Sequence, residues 1–170
     1  MRDPIHYAFI DSQNLNLEVK HLGWKLDFRK FLIYLRSKYK VSKAFLFLGY
    51  LPGNEALYRT LKSYGYEIIF KPTVKMPHKE MTKGNVDAEL VLHAAKIEFD
   101  HYQRAIIVSN DGDFYCLVEY LEKENKLSKV LTPSHRYSSL LRKFSNLIVP
   151  VPLFRDKVEY KKRGAFPQHG

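Results

Sequence analysis

The sequence predicts an α/β fold in which a mainly parallel central sheet lies between two layers of helices. Short apolar runs of strand length alternate with stretches whose apolar residues recur at helical spacing, a pattern typical of parallel strands joined by helical crossovers. The 170 residues are 45% hydrophobic, which is enough to build one core. No internal repeat or Gly/Ser-rich linker divides the sequence. We therefore expect one α/β domain.

The predicted strands are short apolar runs, which indicates burial on both faces of the sheet. They are His6–Ile10, Lys43–Tyr50, Tyr66–Phe70, Arg104–Ser109 and Lys129–Thr132. The predicted helices are Phe28–Tyr39, Asn54–Tyr64, Gly84–Phe99 and about Gly112–Asn125. Asp27 and Asn85 are candidate N-caps for the first and third of these helices. Right-handed crossovers between such elements produce a three-layer, Rossmann-like α/β/α sandwich.

The sequence also predicts how the domain ends and where its longest loop lies. We predict a domain over residues 1–150 and a basic C-terminal tail over residues 151–170, which either packs as a short appendage or stays flexible. The widest irregular connection is Lys71–Lys83, which contains two prolines and four lysines. A long basic loop in a compact domain is often functional, although a plain surface loop fits the sequence equally well.

The composition indicates a polyanionic partner and excludes several classes of protein. Lysine and arginine number 28 against 18 aspartate and glutamate, so the formal net charge is +10. This excess favours nucleic acid without separating RNA from DNA. The single cysteine, Cys116, excludes an intramolecular disulfide framework, and no apolar run reaches the roughly 18 residues of a membrane span. We expect a cytoplasmic protein with no membrane partner. The absence of a Walker A loop disfavours an NTPase.

Acidic side chains follow two predicted strands at the point where each strand ends. Asp11 directly follows the first strand, and Asp111 and Asp113 directly follow the fourth. Asp87 lies near the start of the helix that precedes the fourth strand. Because ligands of open α/β sheets bind outside the carboxyl ends of the strands, we expect these four carboxylates at one edge. Oxygen ligands of this kind suit Mg²⁺ or Mn²⁺, which would also compensate their mutual repulsion.

Each aspartate also has an ordinary structural role available to it. Aspartate at a helix N-terminus or in an Asp-Gly-Asp turn often serves as a cap. Their clustering at one predicted edge nevertheless favours the functional interpretation. Asn14, about one helical turn beyond Asp11, is a candidate for orienting a water or a carboxylate. The hydroxyls of Ser12 and Ser109, next to the acids, are candidates for binding a phosphate.

Three motifs together resemble those of a known family. They are Phe9-Ile10-Asp11-Ser12-Gln13-Asn14, Lys83-Gly84-Asn85-Val86-Asp87 and Ser109-Asn110-Asp111-Gly112-Asp113-Phe114. In their order and spacing they resemble the NYN family of PIN-like nucleases, over roughly residues 5–150. The resemblance implies a PIN-like fold and a divalent-metal ribonuclease site. It also implies RNA as the substrate, which composition does not.

The resemblance assigns roles to particular positions. The implied catalytic residues are Asp11, Asn14, Asp87, Asp111 and Asp113, and the implied ligands of Mg²⁺ or Mn²⁺ are the four aspartates. The candidates for contact with the substrate are Ser12, Lys83, Ser109 and Asn110. Many relatives carry a further carboxylate on the long helix, but Glu89 lies about 200° around the helix from Asp87. We therefore predict that the site holds only one metal firmly.

Two functions stay open on the sequence. The first is a metal-dependent ribonuclease that hydrolyses RNA phosphodiester bonds with a metal-activated water. The second is an RNA-binding regulatory module that keeps the acidic pocket with little or no turnover. The sequence also leaves open endonucleolytic or exonucleolytic action, and whether the partner in addition to RNA is a second copy or a regulatory protein.

Overall fold

A parallel sheet of six strands forms the centre of the molecule in a computed structural model that describes residues 3–71 and 86–162. The strands are β1 (His6–Asp11), β2 (Val41–Gly49), β3 (Glu67–Lys71), β4 (Arg104–Val108), β5 (Leu127–Thr132) and β6 (Ile148–Pro150). Their order across the sheet is β3-β2-β1-β4-β5-β6, and all five neighbouring pairs are parallel. The predicted α/β fold with a parallel sheet is confirmed.

The direction in which the chain adds strands reverses at the middle of the sheet. From β1 the chain moves outward to β2 and β3, and it then returns to β4, which lies on the other side of β1. Ile10 of β1 pairs with Leu46 of β2 and with Val108 of β4. Because neighbouring crossovers leave β1 and β4 in opposite directions, a crevice forms at their carboxyl ends, where open α/β sheets bind ligands.

Helices cover both faces of the sheet. They are α1 (Ser12–His21), α2 (Phe28–Tyr39), α3 (Glu55–Tyr64), α4 (Val86–Leu92), α5 (Tyr115–Lys123) and α6 (Arg155–Val158). The buried side chains of α1, α2, α3 and α6 form one core with one face of the sheet. Those of α4 and α5, with a 3₁₀ helix over Ser139–Leu147, form a second core on the opposite face. The carboxylate of Asp27 accepts the N–H groups of Arg29 and Lys30, so the predicted cap of α2 is confirmed.

The long helix predicted over Gly84–Phe99 is interrupted. Its α-helical part ends at Leu92, and a π-helical turn follows over His93–Ile97. The wider turn changes which residues beyond Ala94 face the core, so that Ala95 and Phe99 pack against it. Ile97, which the apolar pattern places on the buried stripe, is therefore 45% exposed.

The sequence patterns did not predict α1 or β6. Leu15 and Val19 of α1 are fully buried, but Leu17 on the same helix is exposed, so its apolar pattern has no clean stripe. With only three residues, β6 is too short to be recognised as an apolar run. No helix in the described ranges is long and apolar enough to cross a membrane.

The first part of the segment predicted as a tail packs against the domain. Val151 and Val158 are fully buried, and Phe154 is 5% exposed. The ring of Phe154 stacks on Tyr34 of α2 with 4.1 Å between the ring centroids. This segment therefore completes the core on the face that carries α1, α2 and α3.

Candidate metal centre

Four aspartates lie at the carboxyl edge of the sheet, beside the reversal between β1 and β4. Asp11 is the last residue of β1, and Asp87 is the second residue of α4. Asp111 and Asp113 lie in the turn that follows β4, where Gly112–Phe114 form a 3₁₀ turn. These segments meet because β1 and β4 are neighbours in the sheet and α4 packs against β1.

Three of the four carboxylates form a close cluster. Asp87, Asp111 and Asp113 each offer one carboxylate oxygen, and these three oxygens lie within 4.8 Å of one another. Asp87 and Asp111 are half-buried, whereas Asp113 is exposed. Within residues 3–71 and 86–162, none of the three carboxylates has an ion-pair partner. An all-oxygen set of this kind is suited to a hard divalent cation such as Mg²⁺ or Mn²⁺.

The electrostatics of the cluster favour a bound cation. Burial raises the pKa of Asp87 above its ordinary value, and the charges of Asp111 and Asp113 raise it further. Lys71, at the end of β3, acts in the opposite direction and lowers the pKa of Asp87. The raised pKa means that the ionised cluster is less favourable than separate carboxylates in water, because like charges repel where water is scarce. A divalent cation would offset this repulsion.

Asp11 lies deeper than the cluster and outside it. Its side chain is 6% exposed, and burial is the main cause that raises its pKa to about 6. The hydrogen bond that its carboxylate accepts from the N–H of Asn14 lowers the pKa, and the charges of Asp87 and Asp111 raise it again. That bond, at 3.3 Å, also makes Asp11 the N-cap of α1. Asp11 therefore has the structural role of a cap and an electrostatic link to the cluster.

A small polar network ties the end of β1 to the turn after β4. The amide of Asn14 donates to Oδ1 of Asn110 over 2.9 Å, and the N–H of Asn110 donates to Oδ1 of Asn14 over 3.2 Å. Oγ of Ser109 lies 3.4 Å from Oδ2 of Asp11 and accepts the N–H of Asp111 over 3.1 Å. The network therefore fixes the backbone of the turn that presents two of the clustered carboxylates.

Close packing at Gly112 holds the same turn from the other side. Oδ1 of Asp111 accepts the N–H of Asp113 over 2.9 Å, which caps the 3₁₀ turn. A Cβ atom added at Gly112 would lie 2.3 Å from Oγ of Ser138 and 2.9 Å from its Cβ. The N–H of Ser138 donates to the carbonyl of Asn110. Sequence reasoning missed Ser138, because only the placement of the segment after β5 brings it to this turn.

We expect Gly112→Ala to lower the free energy of unfolding by about 1–3 kcal/mol, the usual cost of overpacking. Urea denaturation of the purified variant measures this change. The double variant Gly112→Ala/Ser138→Gly removes the two nearest of the three atoms that the new Cβ would meet and leaves Cδ1 of Leu140 at 3.3 Å, so it should recover most of the loss. Wild-type stability of the single variant, or an equal loss in the double variant, would contradict the packing argument.

The remaining predicted site residues are placed as follows. Ser12, the first residue of α1, is 8% exposed and directly follows Asp11. Ser109 is buried and Asn110 is half-buried, and both belong to the network described above. Lys83 and the predicted cap Asn85 lie outside the described residues, as does the predicted basic loop beyond Lys71.

Comparisons with known proteins point to one family. The family model described as the NYN domain matches residues 7–150. A crystal structure of a protein of unknown function from Vibrio parahaemolyticus RIMD 2210633 is similar in fold, with a TM-score of 0.70 and 24% sequence identity. The similarity covers 94% of this chain and 100% of that chain. None of the curated proteins matches the sequence.

Proposed function

Because this chain belongs to the NYN domain family of PIN-like nucleases, we propose that it is a metal-dependent ribonuclease. It hydrolyses phosphodiester bonds of RNA at the acidic cluster, with Mg²⁺ or Mn²⁺ as the cofactor. The observation that carries the proposal is the set of three carboxylate oxygens within 4.8 Å of one another. RNA as the substrate rests on the family resemblance, and the net charge of +10 supports a polyanion. The expected location is the cytoplasm.

The described carboxylates suit the proposed metal. Asp87, Asp111 and Asp113 would hold the ion, and Asp11 would complete its shell directly or through a water. When bound, the ion would supply a water of lowered pKa and would stabilise the negative charge that develops on the phosphate. We propose one firmly held ion. The described part of the chain contains one cluster of three carboxylates close enough together to share an ion.

One side chain at the cluster would accept a proton during hydrolysis, and neighbouring side chains would keep the site in position. As the water oxygen bonds to phosphorus and one P–O ester bond breaks, a base must take a proton from the water, and the leaving oxygen must receive a proton from solvent. Asp87 would take this proton with the carboxylate oxygen that does not hold the ion, because its side chain belongs to the cluster at which the water would be bound. Ser109 would act as a positioning residue for Asp11, because its hydroxyl donates to Oδ2 of Asp11 over 3.4 Å. Asn14 would position the turn after β4, because its side chain hydrogen-bonds with Asn110.

We propose the residues that contact the substrate from their positions next to the acidic cluster. Asn110 and Ser109 lie beside the clustered carboxylates, and Ser12 begins the helix that Asp11 caps. These polar groups would contact the phosphates on either side of the scissile bond. Lys83 is proposed for the same purpose on the basis of its charge and its place in the motif.

We expect purified protein to cleave a labelled single-stranded RNA in Mn²⁺ or Mg²⁺ and to leave it intact in excess chelator. Without a cation the negative carboxylates would repel the phosphate, so hydrolysis at the cluster requires a bound metal ion. Gel electrophoresis of the products measures the cleavage rate. Products from a substrate labelled at either end would separate endonucleolytic from exonucleolytic action.

The same assay distinguishes the alternative function. RNA binding with a steep dependence on salt but no cleavage in any metal would favour the regulatory RNA-binding module. Cleavage that persists unchanged in chelator would contradict the proposed metal site. A homodimer or a protein partner is a separate proposal, which the mass of the protein in solution, alone and with RNA, would test.

A further inference from the structure

A groove of about 500 Å³ opens beside the acidic site on the opposite face of the sheet from α4. It lies between α1 and α3, above the carboxyl end of β2. Ser12, which directly follows Asp11, lines the end of the groove nearest the acids. The groove is therefore continuous with the edge of the sheet that carries the candidate metal centre. Its volume is in the range of small-ligand sites in proteins.

The walls of the groove are apolar although water reaches them. Leu17 of α1 is 44% exposed, Leu57 of α3 is 51% exposed, and Leu51 between β2 and α3 is 47% exposed. Tyr58 lies buried in the wall, where its hydroxyl accepts the N–H of Leu51 over 2.9 Å. Large apolar side chains that converge on one exposed concave surface are typical of a binding site.

The polar groups of the groove complement a nucleotide. Lys20 and Lys25 line it, and neither has a carboxylate partner among residues 3–71 and 86–162. The ammonium of Lys25 lies 4.7 Å from the centroid of the Tyr160 ring, a cation–π contact that adds no negative charge. The side-chain amides of Gln13, Asn16 and Asn54 also line the groove, and each can donate and accept at a base edge.

We propose that this groove binds one unpaired base of the RNA, with its adjoining phosphate, while the neighbouring phosphate of the same strand lies at the acidic cluster. This inference rests on the proposed function and names its substrate as single-stranded RNA. The apolar walls suit the faces of a base, the amides suit its edge, and the two lysines suit its phosphate. A base inside a duplex cannot enter the groove, because its faces and its pairing edge are already occupied.

Binding can be measured in Mn²⁺, so that the cluster does not repel the strand, by the fluorescence anisotropy of a labelled ten-nucleotide RNA whose phosphorothioate linkages resist cleavage. A series of the same RNA carries one abasic position, moved along the strand. We expect one position to weaken binding about 10-fold, the usual effect of one lost base contact, and the others to have little effect. A duplex of the same sequence should bind more weakly than the single strand at every salt concentration.

Two variants test whether the groove is the place of binding. Leu57→Glu puts a carboxylate on its apolar wall, and Leu153→Glu is the matched control, since Leu153 is 65% exposed and outside the groove. We expect Leu57→Glu to weaken binding about 10-fold and to abolish the effect of the abasic position. Leu153→Glu should leave both unchanged. Circular dichroism establishes that both variants are folded.

The lysines give a second test that does not depend on the apolar wall. Lys20→Ala should lower the slope of log affinity against log salt by about 0.7, as expected when one phosphate contact of a single strand is lost. Lys38→Ala is the control, because Lys38 lies in the last turn of α2, near the opposite edge of the sheet. That variant should keep the wild-type slope.

The outcomes separate this inference from the proposed function. Equal affinities for all abasic RNAs, a duplex bound as well as the single strand, or equal effects of Leu57→Glu and Leu153→Glu would overturn the groove inference even if the protein cleaves RNA. A failure to bind RNA at all would overturn it too. The expected binding pattern without cleavage in any metal would support the groove and contradict the nuclease. If the groove instead serves a protein, Leu57→Glu will not alter RNA binding.

Discussion

Asp111→Asn is expected to lower metal-dependent RNA cleavage by at least about 100-fold, because mutations that only disturb the orientation of metal ligands already cost about 10- to 100-fold. The substitution removes one of the three clustered charges but keeps an oxygen at the Oδ1 position. That oxygen caps the turn through the N–H of Asp113, and asparagine caps about as well as aspartate. The loss should therefore appear in the cleavage rate and in the affinity for Mn²⁺ rather than in stability.

The control for this prediction is Asp100→Asn. Asp100 is an exposed aspartate in the short turn before β4, at the opposite edge of the sheet, so this substitution makes the same change in charge away from the cluster. Single-turnover cleavage rates across a Mn²⁺ titration separate weaker metal binding from slower chemistry. Equal rates for Asp111→Asn and Asp100→Asn would contradict the assignment of the cluster as the metal site.

Most of the fold could be predicted because the buried strands have distinctive patterns. The runs that became β1 and β4 are almost wholly buried, as in parallel sheets covered on both faces. The π-turn after Leu92 could not be predicted, since no single residue there breaks a helical pattern. The burial of Val151, Phe154 and Val158 could not be predicted either, because their spacing fits no regular helix or strand and depends on the surface against which they pack.

The sequence predicted the edge of the sheet at which the aspartates lie, but not which of their carboxylates are in contact. Parallel strand ends meet at one edge, and the structure brings Asp87, Asp111 and Asp113 together there. Sequence reasoning treated Asp11 as their equal, yet the structure buries it outside the three-carboxylate set. Such differences of a few ångströms depend on side-chain packing, which spacing along the chain does not encode.

In metal-free buffer the unfolding free energy of Asp11→Asn should increase relative to that of the wild type as the pH rises from about 4 to 7. The pKa of Asp11 is raised from 3.8 in the unfolded chain to about 6 in the fold, so the folded state binds the proton more tightly. This contribution to stability is fully present below pH 3.8 and is lost as the pH rises through about 6. The difference of about two pKa units corresponds to at most about 3 kcal/mol.

The variant makes this effect measurable, because asparagine has no charge to bury. Urea denaturation in chelator at several pH values gives the difference in unfolding free energy between Asp11→Asn and the wild type. Titrating groups away from the site, such as Glu119 with its pKa lowered to about 2, are present in both proteins and cancel in that difference. Asp87 and Asp111 interact with Asp11, so the difference includes their coupling to it. A difference that does not change with pH, or that shrinks as the pH rises, would show that Asp11 is not held in the environment described.

A bound cation should offset the cost in folding stability of ionising the buried carboxylates. At a concentration 100-fold above its dissociation constant, a ligand that binds only the folded state stabilises it by about 2.7 kcal/mol. Mn²⁺ should therefore stabilise the wild type strongly at pH 7.5. At pH 5 the gain should be much smaller, because protons compete for Asp11 and Asp87, whose pKa values are both raised. Because stabilisation by the metal requires no turnover, it tests the cation site separately from catalysis. A site that binds Mn²⁺ but cleaves no RNA would be a metal-stabilised binding module, whereas one that binds no Mn²⁺ at pH 7.5 could not be the proposed nuclease.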